Sequence, residues 1–196
     1  MTDGALARAS IEQLFTDAGA LLEGHFLLKS GRHAGRYLEK FYVLQHPPLA
    51  VEIGRRMAEV LAEYGPTLVI GPTTGGVLLA HEVARQLGGS VRGIFAEAVG
   101  DGRRALRRGW PVPPDERIVL VDDILTTGAS LVETRDAVRD AGVEPLAAAV
   151  IVDRSTGPFD LGLPVHSLGR IEIPSWQADA CPLCREGVRL VKPGSS

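Results

Sequence analysis

The sequence predicts an α/β fold: a parallel sheet flanked by helices, with a small hood contributed by N- and C-terminal segments. Two observations carry that expectation. Apolar, mostly β-branched runs recur at 67–70, 91–96, 117–121 and 147–152, and segments of helical length separate them. Such continuous runs mark strands buried on both faces, which is the condition of a parallel sheet covered by helices. In addition, one run leads directly into Asp122-Asp123 and then a Thr-Thr-Gly turn that opens a helix. That is where a parallel sheet presents its ligand site.

In chain order, a first helix is expected over 10–18, with Ser10 as N-cap and Glu12-Gln13 in its first turn. Residues 23–33 read as short strands and a turn. A long helix over 47–64 starts at Pro47-Pro48, carries Ile53, Met57, Leu61 and Tyr64 on one face, and stops at Gly65-Pro66. The run 67–70 leads into Gly71, and a helix follows over 76–87. Another spans 129–141 and ends at Gly142. The core is thus placed at about 47–160 and the hood at about 20–46 and 161–190. Between them in kind stands 97–116, which holds Gly100, Gly102, Gly109, Pro111, Pro113 and Pro114. It is too long for an ordinary connection, so it reads as a functional lid or a disordered loop.

Composition bounds the function. The chain has 196 residues, a net charge of −3 and 45% hydrophobic residues, enough for one domain with its own core. No apolar run approaches the ~20 residues of a membrane span, and the first residues lack a secretory pattern, so a cytoplasmic protein is expected. The slight acidity argues against a general nucleic-acid binder. Arginine far outnumbers lysine, which is represented by Lys29, Lys40 and Lys192 alone. Four arginines, Arg103, Arg104, Arg107 and Arg108, fall inside the long loop.

The chemistry concentrates in Val119-Leu120-Val121-Asp122-Asp123-Ile124-Leu125-Thr126-Thr127-Gly128-Ala129-Ser130. Free N–H groups at a helix start, backed by the helix dipole, cradle phosphate. Gly128 permits close approach, and the hydroxyls of Thr126, Thr127 and Ser130 add donors. Adjacent carboxylates suit ribose hydroxyls or a hydrated Mg²⁺. The pattern lacks the Gly-Lys-Ser/Thr ending of a Walker loop and the Gly-x-Gly-x-x-Gly of a dinucleotide site. It reads as a site for a phosphorylated sugar.

The run 119–130 resembles the phosphoribosyl-pyrophosphate signature of type I phosphoribosyltransferases, and the likeness extends over roughly 20–189. Leu22-Glu23-Gly24-His25-Phe26, Leu28-Lys29-Ser30-Gly31-Arg32 and Val152-Asp153-Arg154-Ser155-Thr156-Gly157 resemble the orotate branch, and Gly71-Pro72-Thr73-Thr74-Gly75-Gly76 is similar to its pyrophosphate-side loop. The resemblance implies a Mg²⁺-dependent transfer from phosphoribosyl pyrophosphate to orotate, giving orotidine 5′-monophosphate for pyrimidine synthesis. It assigns Asp122 and Asp123 to the ribose hydroxyls and to positioning a Mg²⁺ held mainly by substrate and water. It assigns 124–130 to the phosphoribosyl group, Lys29, Thr74 and Gly75 to the same substrate, and Arg154 with Thr126 to orotate. It also implies a homodimer. The loop departs from the family pattern, and its own arginines, Arg103, Arg104, Arg107 and Arg108, are the catalytic candidates of a lid that closes over pyrophosphate. The sequence departs from relatives at Glu97-Ala98, where many carry an Arg-Lys pair, and at Thr74-Gly75, where several carry an aromatic residue and a lysine. A transferase for another base, or a regulator that keeps the fold, are the rival readings.

Cys181-Pro182-Leu183-Cys184 has knuckle-like spacing but supplies half a zinc site. A second copy or His166 could complete one. By itself the pair reads as a turn with free thiols. His25, His33, His46, His81 and His166 show no pair with ligand spacing, so each reads as structural.

Overall fold

The computed structural model describes residues 3–28 and 30–193. Its main sheet has six strands: β3 (Leu68–Pro72), β4 (Arg92–Gly100), β5 (Arg103–Ala105), β6 (Ile118–Leu125), β7 (Ala147–Asp153) and β8 (Val165–Arg170). Their order is β5-β4-β3-β6-β7-β8, parallel throughout except for β5, which folds back on β4. The chain leaves β3 for β4 on one side and later crosses to β6 on the other. The order therefore reverses between β3 and β6, and the carboxyl ends of those strands open a crevice there.

Alternation along each strand sorts the apolar side chains onto two faces. Val69, Val119, Val121, Ala147, Ala149 and Ile151 join the core beneath α2 (Ile11–Asp17), α4 (Pro47–Leu61) and α5 (Gly75–Leu87); the short helices α1 (Asp3–Leu6) and α3 (Lys40–Leu44) precede α2 and α4. Leu68, Ile70, Ile118, Leu120, Ala148 and Val150 face α6 (Ala129–Asp140), whose Leu131, Ala137 and Val138 cover them. Each fully buried aliphatic side chain contributes about 1.5–3 kcal/mol. The helix ends follow local rules. The Ser10 hydroxyl accepts the Gln13 N–H at 3.1 Å, and Pro47 and Pro48 open α4. A single 3₁₀ turn, Ala62–Tyr64, follows α4 and ends at Gly65.

Two expectations change. β8 completes the main sheet, so 161–170 belongs to the core rather than to the hood. The segment 97–116 is built rather than unstructured: β4 runs on to Gly100 and pairs with β5 through a turn in which Asp101 and Gly102 have φ of 52° and 65°. Beyond it Leu106, Trp110 and Val112 pack onto the α6-side core, and Trp110 meets Phe95 edge-on at 4.9 Å.

The hood is a separate sheet of order β10-β1-β2-β9, with β1 (Leu21–Leu27), β2 (His33–Leu38), β9 (Ser175–Trp176) and β10 (Leu190–Val191). It joins both ends of the chain. Antiparallel pairing sets Leu27 opposite His33, which makes His25 and His33 diagonal neighbours on one face. The expectation that no histidines pair is therefore corrected: their ring nitrogens approach to 2.9 Å. Sequence spacing concealed this, because the hairpin and not a helix brings them together.

Candidate active site

A cleft of about 380 Å³ opens at the strand-order reversal, lined by Thr73, Thr74, Gly75, Asp122, Asp123, Ile124, Thr126 and Ser130 from the core. Tyr37 and Lys40 reach it from the hood side, Arg104 from the β4–β5 hairpin and Arg154 from the end of β7.

The acid pair lies in the carboxyl half of β6, which runs on to Leu125, and both side chains are buried. Asp122 accepts hydrogen bonds from the Ser130 hydroxyl at 2.5 Å and the Asp123 N–H at 2.8 Å. Burial, then repulsion from Asp123, raises its carboxyl to about 6 against the pull of those bonds. Asp123 pairs with Lys40, whose Nζ lies 2.8 Å from Oδ2 and 3.0 Å from Oδ1. Gly75 is required for this arrangement, since a Cβ there would stand 2.0 Å from Asp123 Oδ2. The Thr73–Thr74 peptide just before it is cis.

The turn after β6 ends at Gly128, which has φ of 78° and caps α6. A Cβ there would meet the Phe159 ring at 1.9 Å, so both backbone sign and space select glycine. The first-turn N–H groups of α6 have no intrahelical acceptors, and of the predicted turn Thr126 and Ser130 line the cleft whereas Thr127, Gly128 and Ala129 do not. Ile124 lines the cleft, whereas the Leu125 side chain is buried in the core and its carbonyl accepts the Arg154 N–H at 2.8 Å.

Of the four loop arginines, Arg104 is the one lining this cleft. Its guanidinium donates to the Thr73 hydroxyl at 3.1 Å and the Ala96 carbonyl at 3.2 Å, and it lies 3.2 Å from Glu133. It therefore braces the loop after β3. Arg103 lines a different cavity, Arg107 lies on the exposed side, and Arg108 pairs with Glu97 at 2.5 Å. Arg154 borders both the cleft and an adjoining cavity formed with Arg32 and Ser155. Its Nε is buried without a hydrogen-bond partner, it has no ion pair among the described residues, and burial weakens its hold on the proton. Lys29 lies outside the described residues.

Sequence reasoning missed Lys40 and Tyr37. The signal for Lys40 was its rarity: it is one of three lysines in an arginine-rich chain.

A parallel sheet whose reversal point carries an acid pair, a hydroxyl-rich turn at a helix start and a glycine loop opposite defines a phosphoribosyltransferase, and residues 42–178 match the phosphoribosyl transferase domain family. The orotate phosphoribosyltransferase of Pelotomaculum thermopropionicum is 44% identical over 190 residues, covering 97% of this chain and 98% of the relative. That of Caldicellulosiruptor bescii is 46% identical, covering 93% and 95%. A crystal structure of Mycobacterium tuberculosis orotate phosphoribosyltransferase with Fe(III) dicitrate superposes with a TM-score of 0.66 at 26% identity, over 86% of this chain and 96% of that one. The same enzyme with 5-phospho-α-D-ribosyl 1-diphosphate gives 0.61 at 25% identity, over 82% and 94%. The chain belongs to the orotate phosphoribosyltransferase family.

Proposed function

We propose that the chain transfers the phosphoribosyl group of phosphoribosyl pyrophosphate to orotate, giving orotidine 5′-monophosphate and pyrophosphate. The bond from ribose C1 to the pyrophosphate oxygen breaks as a ring nitrogen of orotate bonds to C1, and the proton that nitrogen carried leaves with the pyrophosphate. The observation that carries this reading is Arg154: a guanidinium at the cleft wall, buried at Nε and lacking an anionic partner among the described residues, fits a base bearing a carboxylate. A neutral purine would leave it unsatisfied.

The 5′-phosphate rests on the N–H groups and hydroxyls of 126–130. Asp122 and Asp123 meet the ribose hydroxyls, with Lys40 orienting Asp123 through their ion pair. Pyrophosphate leaves past Thr73, Thr74 and Gly75, where Arg104 sets positive charge near the developing anion. Closure of the β4–β5 hairpin excludes water, and Arg103 or Arg107 reaches the site of a second subunit in a homodimer.

Mg²⁺ fits this donor set as a partner of substrate oxygens rather than as a protein-caged ion. The carboxylates are hard oxygen donors, but both are already engaged, Asp122 by Ser130 and Asp123 by Lys40. Asp122 and Asp123 would hold the ion's water shell, and when bound it neutralises charge on the pyrophosphate. The cytoplasm is the proposed location; no helix among the described residues is long and apolar enough to cross a membrane.

The test is the ultraviolet change of orotate with phosphoribosyl pyrophosphate, with and without Mg²⁺. Mg²⁺-dependent conversion matched by pyrophosphate release is expected. Inert orotate alongside turnover of a purine would overturn the reading.

A further inference from the structure

We propose that the hood contains a structural zinc site made by His25, His33, Cys181 and Cys184. The donor atoms of all four lie within 4.8 Å of one another, and His25, His33 and Cys181 are buried. None of the four lines the cleft. His25 Nε2 is 2.9 Å from His33 Nδ1, 3.4 Å from Cys181 Sγ and 3.7 Å from Cys184 Sγ. Cys184 Sγ is also 3.3 Å from His33 Nδ1. Ligands about 2.0 Å (N) and 2.3 Å (S) from a tetrahedral zinc stand roughly 3.3–3.8 Å apart, which is close to this spacing.

Hydrogen bonding points the same way. The Val188 carbonyl, an acceptor only, takes the His25 Nδ1–H at 2.8 Å, which leaves Nε2 facing the other three donor atoms. Fixing a histidine tautomer by a carbonyl is the usual support of a metal ligand. Two imidazoles and two thiols select zinc over the hard cations Mg²⁺ and Ca²⁺. Four protein donors leave no position for water or substrate, so the site is structural rather than catalytic.

Its consequence follows from topology. The histidines stand on the β1–β2 hairpin, while the cysteines flank the start of α7 (Pro182–Arg185), more than 140 residues later. The two-residue strands β9 and β10 otherwise join these ends through short pairings. Zinc would staple the hood closed and so hold Tyr37 and Lys40 over the cleft.

The test is metal analysis of the full chain purified under reducing conditions, followed by Co²⁺ titration of chelator-stripped wild type. About one zinc per chain is expected, together with the visible d–d bands and the thiolate charge-transfer band of tetrahedral Co²⁺. Cys184→Ser, at an exposed position, should lower metal content about tenfold or more with the fold retained by circular dichroism. His166→Ala should retain the metal, because His166 bonds the Tyr64 hydroxyl at 2.9 Å instead. Wild-type protein that carries no zinc and shows no tetrahedral Co²⁺ spectrum would overturn the proposal. So would zinc retained at full stoichiometry in folded Cys181→Ser/Cys184→Ser.

Discussion

Replacing Arg154 by Leu separates what the fold needs from what the substrate needs. In the free protein the guanidinium stands at the cleft wall with Nε buried, no hydrogen-bond partner there and no ion pair among the described residues. An orphaned buried donor costs about 1–3 kcal/mol, and Leu keeps much of the apolar stem while removing it. The variant should therefore match wild type or gain about 1 kcal/mol, a rise of roughly 2–4 °C in Tm for a chain of this size. With orotate bound the balance reverses. Truncating one partner of a desolvated charge pair costs about 2–5 kcal/mol. At about 1.4 kcal/mol per decade, kcat/KM for orotate should fall roughly 30-fold to several thousand-fold. KM for phosphoribosyl pyrophosphate should change less than about threefold, because Arg154 borders the base side of the cleft. Initial rates from orotate absorbance, each substrate varied in turn, and a thermal melt on the same protein measure all three quantities. A variant destabilised by several kcal/mol whose orotate kinetics are unchanged would refute the reasoning.

Gly75→Ala should cost about 1–3 kcal/mol by urea unfolding and lower kcat/KM for phosphoribosyl pyrophosphate about tenfold or more, since the new methyl collides with Asp123 at 2.0 Å and disturbs its pair with Lys40. Arg104→Ala should lose about 10²-fold in kcat, while Arg108→Ala, whose guanidinium pairs with Glu97 and does not line the cleft, stays within about threefold in the same assay. Glu52 gives a pH prediction. Hydrogen bonds from Arg55, with Arg56 assisting against the opposing effect of burial, hold its carboxyl near 2 rather than 4.5. A carboxylate lowered in the native state stabilises fully above about pH 4.5, and that share is lost as pH falls toward 2, because the unfolded chain takes up the proton first. The stability gap between wild type and Glu52→Gln should therefore shrink as pH falls through this window; a constant gap in urea titrations would contradict it.

Much of the core was legible because buried parallel strands write themselves as unbroken apolar runs: all five residues of β3 are buried, and six of the seven in β7. The acid pair and its Thr-Thr-Gly turn were legible for a similar reason, being contiguous in sequence. Contacts that close over long separations were not. Lys40 meets Asp123 across 83 residues, and nothing near Lys40 announces that partner. The β8 sequence Val165–Arg170 is only half-buried at a sheet edge, so its pattern is diluted. β9 and β10 have two residues each and exist through their pairing partners rather than their composition. Four arginines in one loop looked equivalent until the turn at Asp101 and Gly102 aimed Arg104 inward. The His25–His33 pairing depended on hairpin register, which a turn with Gly31 did not specify in sequence.

The proposed function requires the crevice between β3 and β6 to hold the phosphoribosyl donor. A crystal structure of the protein with phosphoribosyl pyrophosphate and Mg²⁺ tests it most directly. The 5′-phosphate is expected on the 126–130 turn, the ribose against Asp122 and Asp123, and the pyrophosphate between Gly75 and Arg104. The donor bound instead in the cavity beside Leu6, His46 and Leu49, with the acid pair left untouched, would contradict it.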